Sequence, residues 1–172
     1  MWARWLASAA LALCAAATGC SSNDTGALAC GPGIDQRPIE GFNHVQPPAT
    51  VNYKDNPPAS GDHYPVPAPW GVSTVPVQRE QWVHNLEHGG IVFLYNCPSG
   101  CPDEVQQMTN IFTQRPVDEF NEVRILITTD TLMPHKLAAI AWGWRWQGET
   151  MDTTTIECFI DQRYDKGRES IP

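Results

Sequence analysis

The stretch "GIVFLYNCPSGCPDEVQQMTNIFTQRPVDEFNEVRILITTD", Gly90–Asp130, decides the fold. "GIVFLYN" is a short continuous apolar run between turn residues, and reads as a buried strand. "PDEVQQMTNIFTQ" reads as a helix, with Asp103 and Glu104 at the positive end of its dipole. "EVRILITTD" is a second buried strand. Strand, helix and strand in this order predict a parallel pair joined by a right-handed crossover. Downstream, "KLAAIAWGWRWQGE" predicts a third strand or a hairpin bent at Gly143, and "DTTTIECFIDQRYD" a closing helix capped by Asp152 or a threonine. Upstream, "PVQREQWVHNLEHGG" predicts a helix, with Pro76 suited to its first turn and Gly89 to its stop.

The order helix, strand, helix, strand, strand, strand, helix points to an α/β domain, with α+β as the alternative. It resembles the thioredoxin fold: three layers, a mixed sheet and flanking helices. The cysteines Cys97 and Cys101 stand where a strand turns into a helix, and Met133-Pro134 stands where thioredoxin-like proteins carry a cis-proline. An ordinary turn proline is the other reading of that pair. Trp142, Trp144 and Trp146 alternate, so one strand would carry all three on one face, as core packing or as an aromatic wall to a groove.

Residues 1–19 read as an export signal, because "LASAALALCAAA" is apolar but too short to span a bilayer. "ATG" before Cys20 resembles a bacterial lipobox, which implies lipidation of Cys20 and an anchor in the membrane of the cell envelope. Residues 20–40 read as a tether. Residues 41–79 carry "QPPAT", "DNPPASGDHYPVPAPWG" and "TVPV", and read as an ordered proline-rich cap on a single domain over 41–172. Without residues 1–19 the chain has 10 Lys and Arg against 19 Asp and Glu, a net charge of −9. That balance, with no basic run, argues against nucleic acid and against electrostatic binding to anionic lipid; the expected partners are the membrane, through the lipid anchor, and a protein of the envelope.

His84 and His88, four apart on a helix, can share one ion, and neutral imidazole suits copper or zinc. His63 lies in a rigid loop able to fold over them, and Glu87 could order an imidazole from behind. "PPASGDHY", "VHNLEHGGIVFLYN" and "LAAIAWG" resemble, in order, the motifs of the bacterial family known as domain of unknown function 3105. The resemblance covers roughly 40–170 and carries His63, His84, Glu87 and His88 together, without requiring the cysteines. "HNLEH" also matches H-x-x-E-H, the inverted zinc-peptidase motif, for which Glu157 is a formal third ligand.

"YNCPSGCPDEV" resembles the C-P-x-x-C-P stretch of the Sco copper-assembly proteins. That resemblance implies a copper site of Cys97, Cys101 and a later histidine, here His135, with Met133 as a soft extra ligand. In an oxidising compartment the same two cysteines can form a disulfide, with Cys30–Cys158 as the second bond. A strand of seven residues, about 20 Å long, separates the histidine pair from the cysteine pair, so one ion cannot bind both. The sequence thus predicts an envelope lipoprotein that binds a transition metal, copper ahead of zinc, through His63, His84 and His88. A thiol–disulfide oxidoreductase or copper chaperone using Cys97 and Cys101 is the alternative, and no nucleophile–base set argues for an enzyme.

Overall fold

The computed structural model describes residues 28–169 and Ile171. The export signal, Cys20 and the start of the tether lie outside them. In chain order the elements are β1 (Ile34–Gln36), β2 (Gly71–Val72), α1 (Arg79–Glu87), β3 (Ile91–Tyr95), α2 (Pro102–Gln114), β4 (Ile125–Thr129), β5 (Leu137–Ala141), β6 (Trp144–Gly148) and α3 (Thr153–Arg163). They form a mixed α/β fold around one six-stranded sheet of order β1-β6-β5-β3-β4-β2. β3 and β4 pair in parallel from Ile91↔Ile125 to Tyr95↔Thr129, and β2 adds parallel to β4. β5 runs antiparallel to β3, β6 to β5, and β1 to β6.

β3 is apolar throughout because both its faces are covered. Ile91 and Phe93 join Ile125, Ile127, Ala139, Trp144 and Trp146 under Met108 of α2 and Ile156, Phe159 and Ile160 of α3. Val92 and Leu94 join Leu126, Ala138 and Ile140 on the opposite face, under Trp82, Val83 and Leu86 of α1. The result is three layers. The polar side of α1 is buried as well, because the proline-rich cap lies over it: Asn85 exchanges hydrogen bonds with the backbone of Ala68 at 2.8 and 2.9 Å, and Tyr64 N donates to Glu80 O at 2.8 Å.

Three expectations need correcting. The stretch 20–40 is not all tether: Ile34–Gln36 forms edge strand β1, and Cys30 is disulfide-bonded to Cys158 of α3. Ile34 packs against the core there, and three residues are too few to show a strand period. Trp142 does not share a face with Trp144 and Trp146, because the hairpin turns at Trp142–Gly143 and sends its ring to the α1 side. Among the described residues the cis peptides are Pro47-Pro48 and Asn56-Pro57, so Met133-Pro134 is an ordinary turn proline. Met133 is 2% exposed, in the α1-side core.

Arg124, just before β4, is fully buried. Its guanidinium donates to Asp118 at 2.5 Å, to Asp165 at 2.6 Å and to the carbonyl of His88 at the end of α1. Burial works to raise the Asp118 pKa, but hydrogen bonds from Arg124 and from the backbone of Glu122 and Phe120 outweigh it and hold it below 3.8. The folded state therefore binds this proton more weakly than the unfolded chain. Its contribution to stability is present above about pH 4 and is lost as pH falls through the folded value. Asp118→Ala would leave the buried cation short of a partner and should cost about 3 kcal/mol in urea unfolding at neutral pH. The variant should also lose stability less steeply than the parent between pH 5 and pH 2 (roughly the carboxylate range).

Candidate metal centre

α1 carries His84 and Glu87 on one side of its last turn, and His88 is its C-cap. Gly89 follows with φ +80°, the left-handed conformation that ends a helix and favours glycine. A Cβ at Gly89 would stand 2.9 Å from the Asp165 Cα, because the C-terminal segment lies across this helix end. Asp165 N donates to Gly89 O and Glu169 N to Glu87 O, both at 2.9 Å. His63 comes from the proline-rich cap. Beside it runs His44, held by a parallel bridge in which Val45 N donates to His63 O at 2.8 Å and His63 N to Asn43 O at 3.0 Å.

These elements bring His44, His63, His84 and Glu87 together, with one potential ligand atom of each within 4.8 Å of all the others. His63, His84 and Glu87 are buried, at 0, 4 and 1% exposure, while the His44 side chain is 46% exposed. His63 Nδ1 stands 2.8 Å from Gly61 O, and His84 Nδ1 2.6 Å from Tyr64 O. A carbonyl only accepts, so both rings carry a proton on Nδ1. In their neutral forms both leave Nε2 as the acceptor atom; it faces Glu87 Oε2 in His63 and His88 Nε2 in His84.

The His63–Glu87 contact is the most informative. His63 Nε2 lies 2.9 Å from Glu87 Oε2. With Nδ1–H already committed, a neutral His63 would set a lone pair against a carboxylate. The contact needs a proton, on the ring or on the carboxyl, or a metal ion shared by the two groups. Arg168 donates to Glu87 Oε1 at 3.1 Å and turns Oε2 toward the cluster. His84 resists the proton: burial first, then the neighbouring His88, His63 and His44, push its pKa below 6.5 against the pull of the Tyr64 carbonyl. Two imidazole nitrogens on one tetrahedral ion stand roughly 3.4 Å apart, given metal–nitrogen bonds of about 2.0–2.1 Å, so side-chain movements of about 1 Å would close the site.

Of the residues the sequence singled out, the structure groups His63, His84 and Glu87. It sets His88 beside His84, Nε2 to Nε2 at 2.9 Å, outside the group. Glu87, expected behind the ligands, stands among them. His44 was missed because "GFNHVQPP" has no helical or ligand spacing; the available signal was that four of the five histidines fall between 44 and 88. Cys97 and Cys101 form a disulfide, with Cys101 as the N-cap of α2, and the histidine group contains no cysteine. His135 pairs with Glu149 at 2.9 Å. Glu157 lies exposed on α3, across the sheet from α1, and cannot complete an H-x-x-E-H zinc site.

The sign of the His84 shift gives a pH dependence. The unfolded chain protonates this ring more readily than the folded one, so its contribution is full above pH 6.5 and is lost as pH falls below that value. Thermal melts of metal-free protein should show stability falling between pH 7.5 and pH 5.5, and His84→Gln should flatten that fall by the equivalent of one proton.

Neither curated proteins nor solved structures yield a match to this chain. A family described as "Protein of unknown function (DUF3105)" matches residues 44–171, a span that opens on His44 and holds every residue of the cluster. The chain belongs to the DUF3105 family.

Proposed function

We propose that the domain binds one divalent transition-metal ion through His44, His63, His84 and Glu87, and that it captures, stores or delivers that ion in the cell envelope. The observation that carries this reading is the buried His63–Glu87 contact, with both His63 and His84 locked by backbone carbonyls into the tautomer that presents Nε2. Three imidazoles and a carboxylate suit Cu²⁺ or Zn²⁺. Cu⁺, which prefers soft ligands, finds no sulfur among them. Copper stays ahead of zinc on the Sco-like stretch of the same chain. The lipobox-like sequence before Cys20 supports anchoring to a bacterial membrane. The order β6-β5-β3-β4, with β3 and β4 parallel and β5 and β6 antiparallel, supports the thioredoxin-like expectation.

A second reading, thiol–disulfide exchange at Cys97–Cys101, is favoured by one observation. Cys97 is half-buried and Cys101 is 6% exposed, so an attacking thiolate reaches one sulfur before the other. A reduction potential below about −300 mV, from a glutathione or dithiothreitol titration, would mark the bond as structural and end that reading.

For the metal reading, elemental analysis of protein isolated from its native envelope should find close to one equivalent of copper or zinc. In isothermal titration of metal-free protein, His63→Ala should weaken uptake by at least about 100-fold, or 2.7 kcal/mol. Glu87→Gln, which keeps the size of the side chain, should weaken it by about 10–100-fold. An isolated protein empty of metal that also fails to take any up would overturn the reading.

A further inference from the structure

The four ligands are not equivalent. Three are buried and each is held from behind: His63 by Gly61 O, His84 by Tyr64 O, and Glu87 by Arg168. His44 alone is half-exposed, and among the described residues no hydrogen bond fixes its ring. Its Nε2 lies 3.8 Å from Glu87 Oε2. Its ring lies flat against that of His84, with centroids 5.0 Å apart and planes 14° from parallel. Swinging His44 outward therefore breaks no hydrogen bond, whereas moving any of the other three does. Around this mouth stand Phe42, which is 49% exposed, and Arg168, whose guanidinium lies 4.3 Å from the Phe42 ring centre.

We propose that His44 is the exchange ligand of the site: the metal ion enters and leaves past it, while His63, His84 and Glu87 stay in place. This rests on the metal-binding reading above. The step is a ligand substitution with no change in oxidation state. The bond from the metal to His44 Nε2 breaks, and a bond to a nitrogen or sulfur donor of the acceptor forms. A proton leaving a thiol acceptor passes to the freed imidazole or to water. The acceptor fitted to this mouth is one that presents an imidazole or thiolate on a flexible side chain or a small molecule. Arg168 holds Glu87 from the same side, so it keeps the carboxylate in place while the His44 position turns over.

The test is metal transfer from the loaded full-length chain to 4-(2-pyridylazo)resorcinol, a nitrogen–oxygen chelating dye, followed by stopped flow for Zn²⁺. His44→Ala and His44→Gln should each still bind one equivalent, but should release it at least about tenfold faster than the parent. His63→Ala should bind too weakly to be loaded. If the His44 variants release metal at the parent rate, or lose uptake as completely as His63→Ala, the exchange role is wrong while the metal site stands. If the parent chain binds no metal, the functional reading itself has failed. Near-ultraviolet circular dichroism identical to the parent's shows that the His44 variants are folded, as the exposure of this side chain leads one to expect.

Discussion

A carboxylate and an imidazole share a buried contact that neither can hold without a proton or a metal ion between them. Glu87 is 1% exposed and His63 fully buried, and the Gly61 carbonyl has already claimed the other ring nitrogen. Placing a charged carboxylate this deep costs several kcal/mol unless it is compensated. Arg168 compensates one oxygen; the other faces the histidines. Charging all the histidines instead would crowd like charges together; burial first, and then the neighbouring histidines, already lower the affinity of His84 for its proton. A divalent ion, as proposed, would remove the conflict with a single charge centre.

Much of the surrounding structure serves to hold this arrangement. From Trp82 to Glu87 α1 is buried on every side, which keeps His84 and Glu87 from turning toward solvent. The proline-rich cap supplies His63 and His44 as well as the carbonyls of Gly61 and Tyr64. The C-terminal segment supplies Arg168 and closes the end of α1 through Asp165 and Glu169. Arg124 ties that segment to the same helix end by binding Asp165 and the His88 carbonyl together. The C-terminal strap is far in sequence from the cap and the helix, and it reaches the cluster through Arg168 and Glu87.

The three helices and the central strands β3 and β4 were legible because each carries a clear local signal. "IVFLY" and "ILITT" are apolar without a break because both faces of the central strands are covered. The Cys30–Cys158 and Cys97–Cys101 pairing was readable from a small number of cysteines and the layout of the chain. What stayed hidden depends on long-range pairing. β1 is three residues long, and nothing local marks it as a strand; its partner β6 lies more than a hundred residues away. His44 is silent for the same reason, since only its bridge to His63 brings it to the site. Helical spacing suggested His88 as a ligand beside His84, and the two rings do meet, Nε2 to Nε2 at 2.9 Å. Glu87, one residue earlier, faces His63.

X-ray absorption at the metal edge of protein isolated from the envelope distinguishes the histidine site from the cysteine site. Binding by His44, His63, His84 and Glu87 gives a first shell of three imidazole nitrogens and a carboxylate oxygen at about 2.0–2.2 Å, with the outer-shell scattering typical of histidine rings. A sulfur shell at about 2.3 Å would contradict it and move the site to the cysteines at the start of α2.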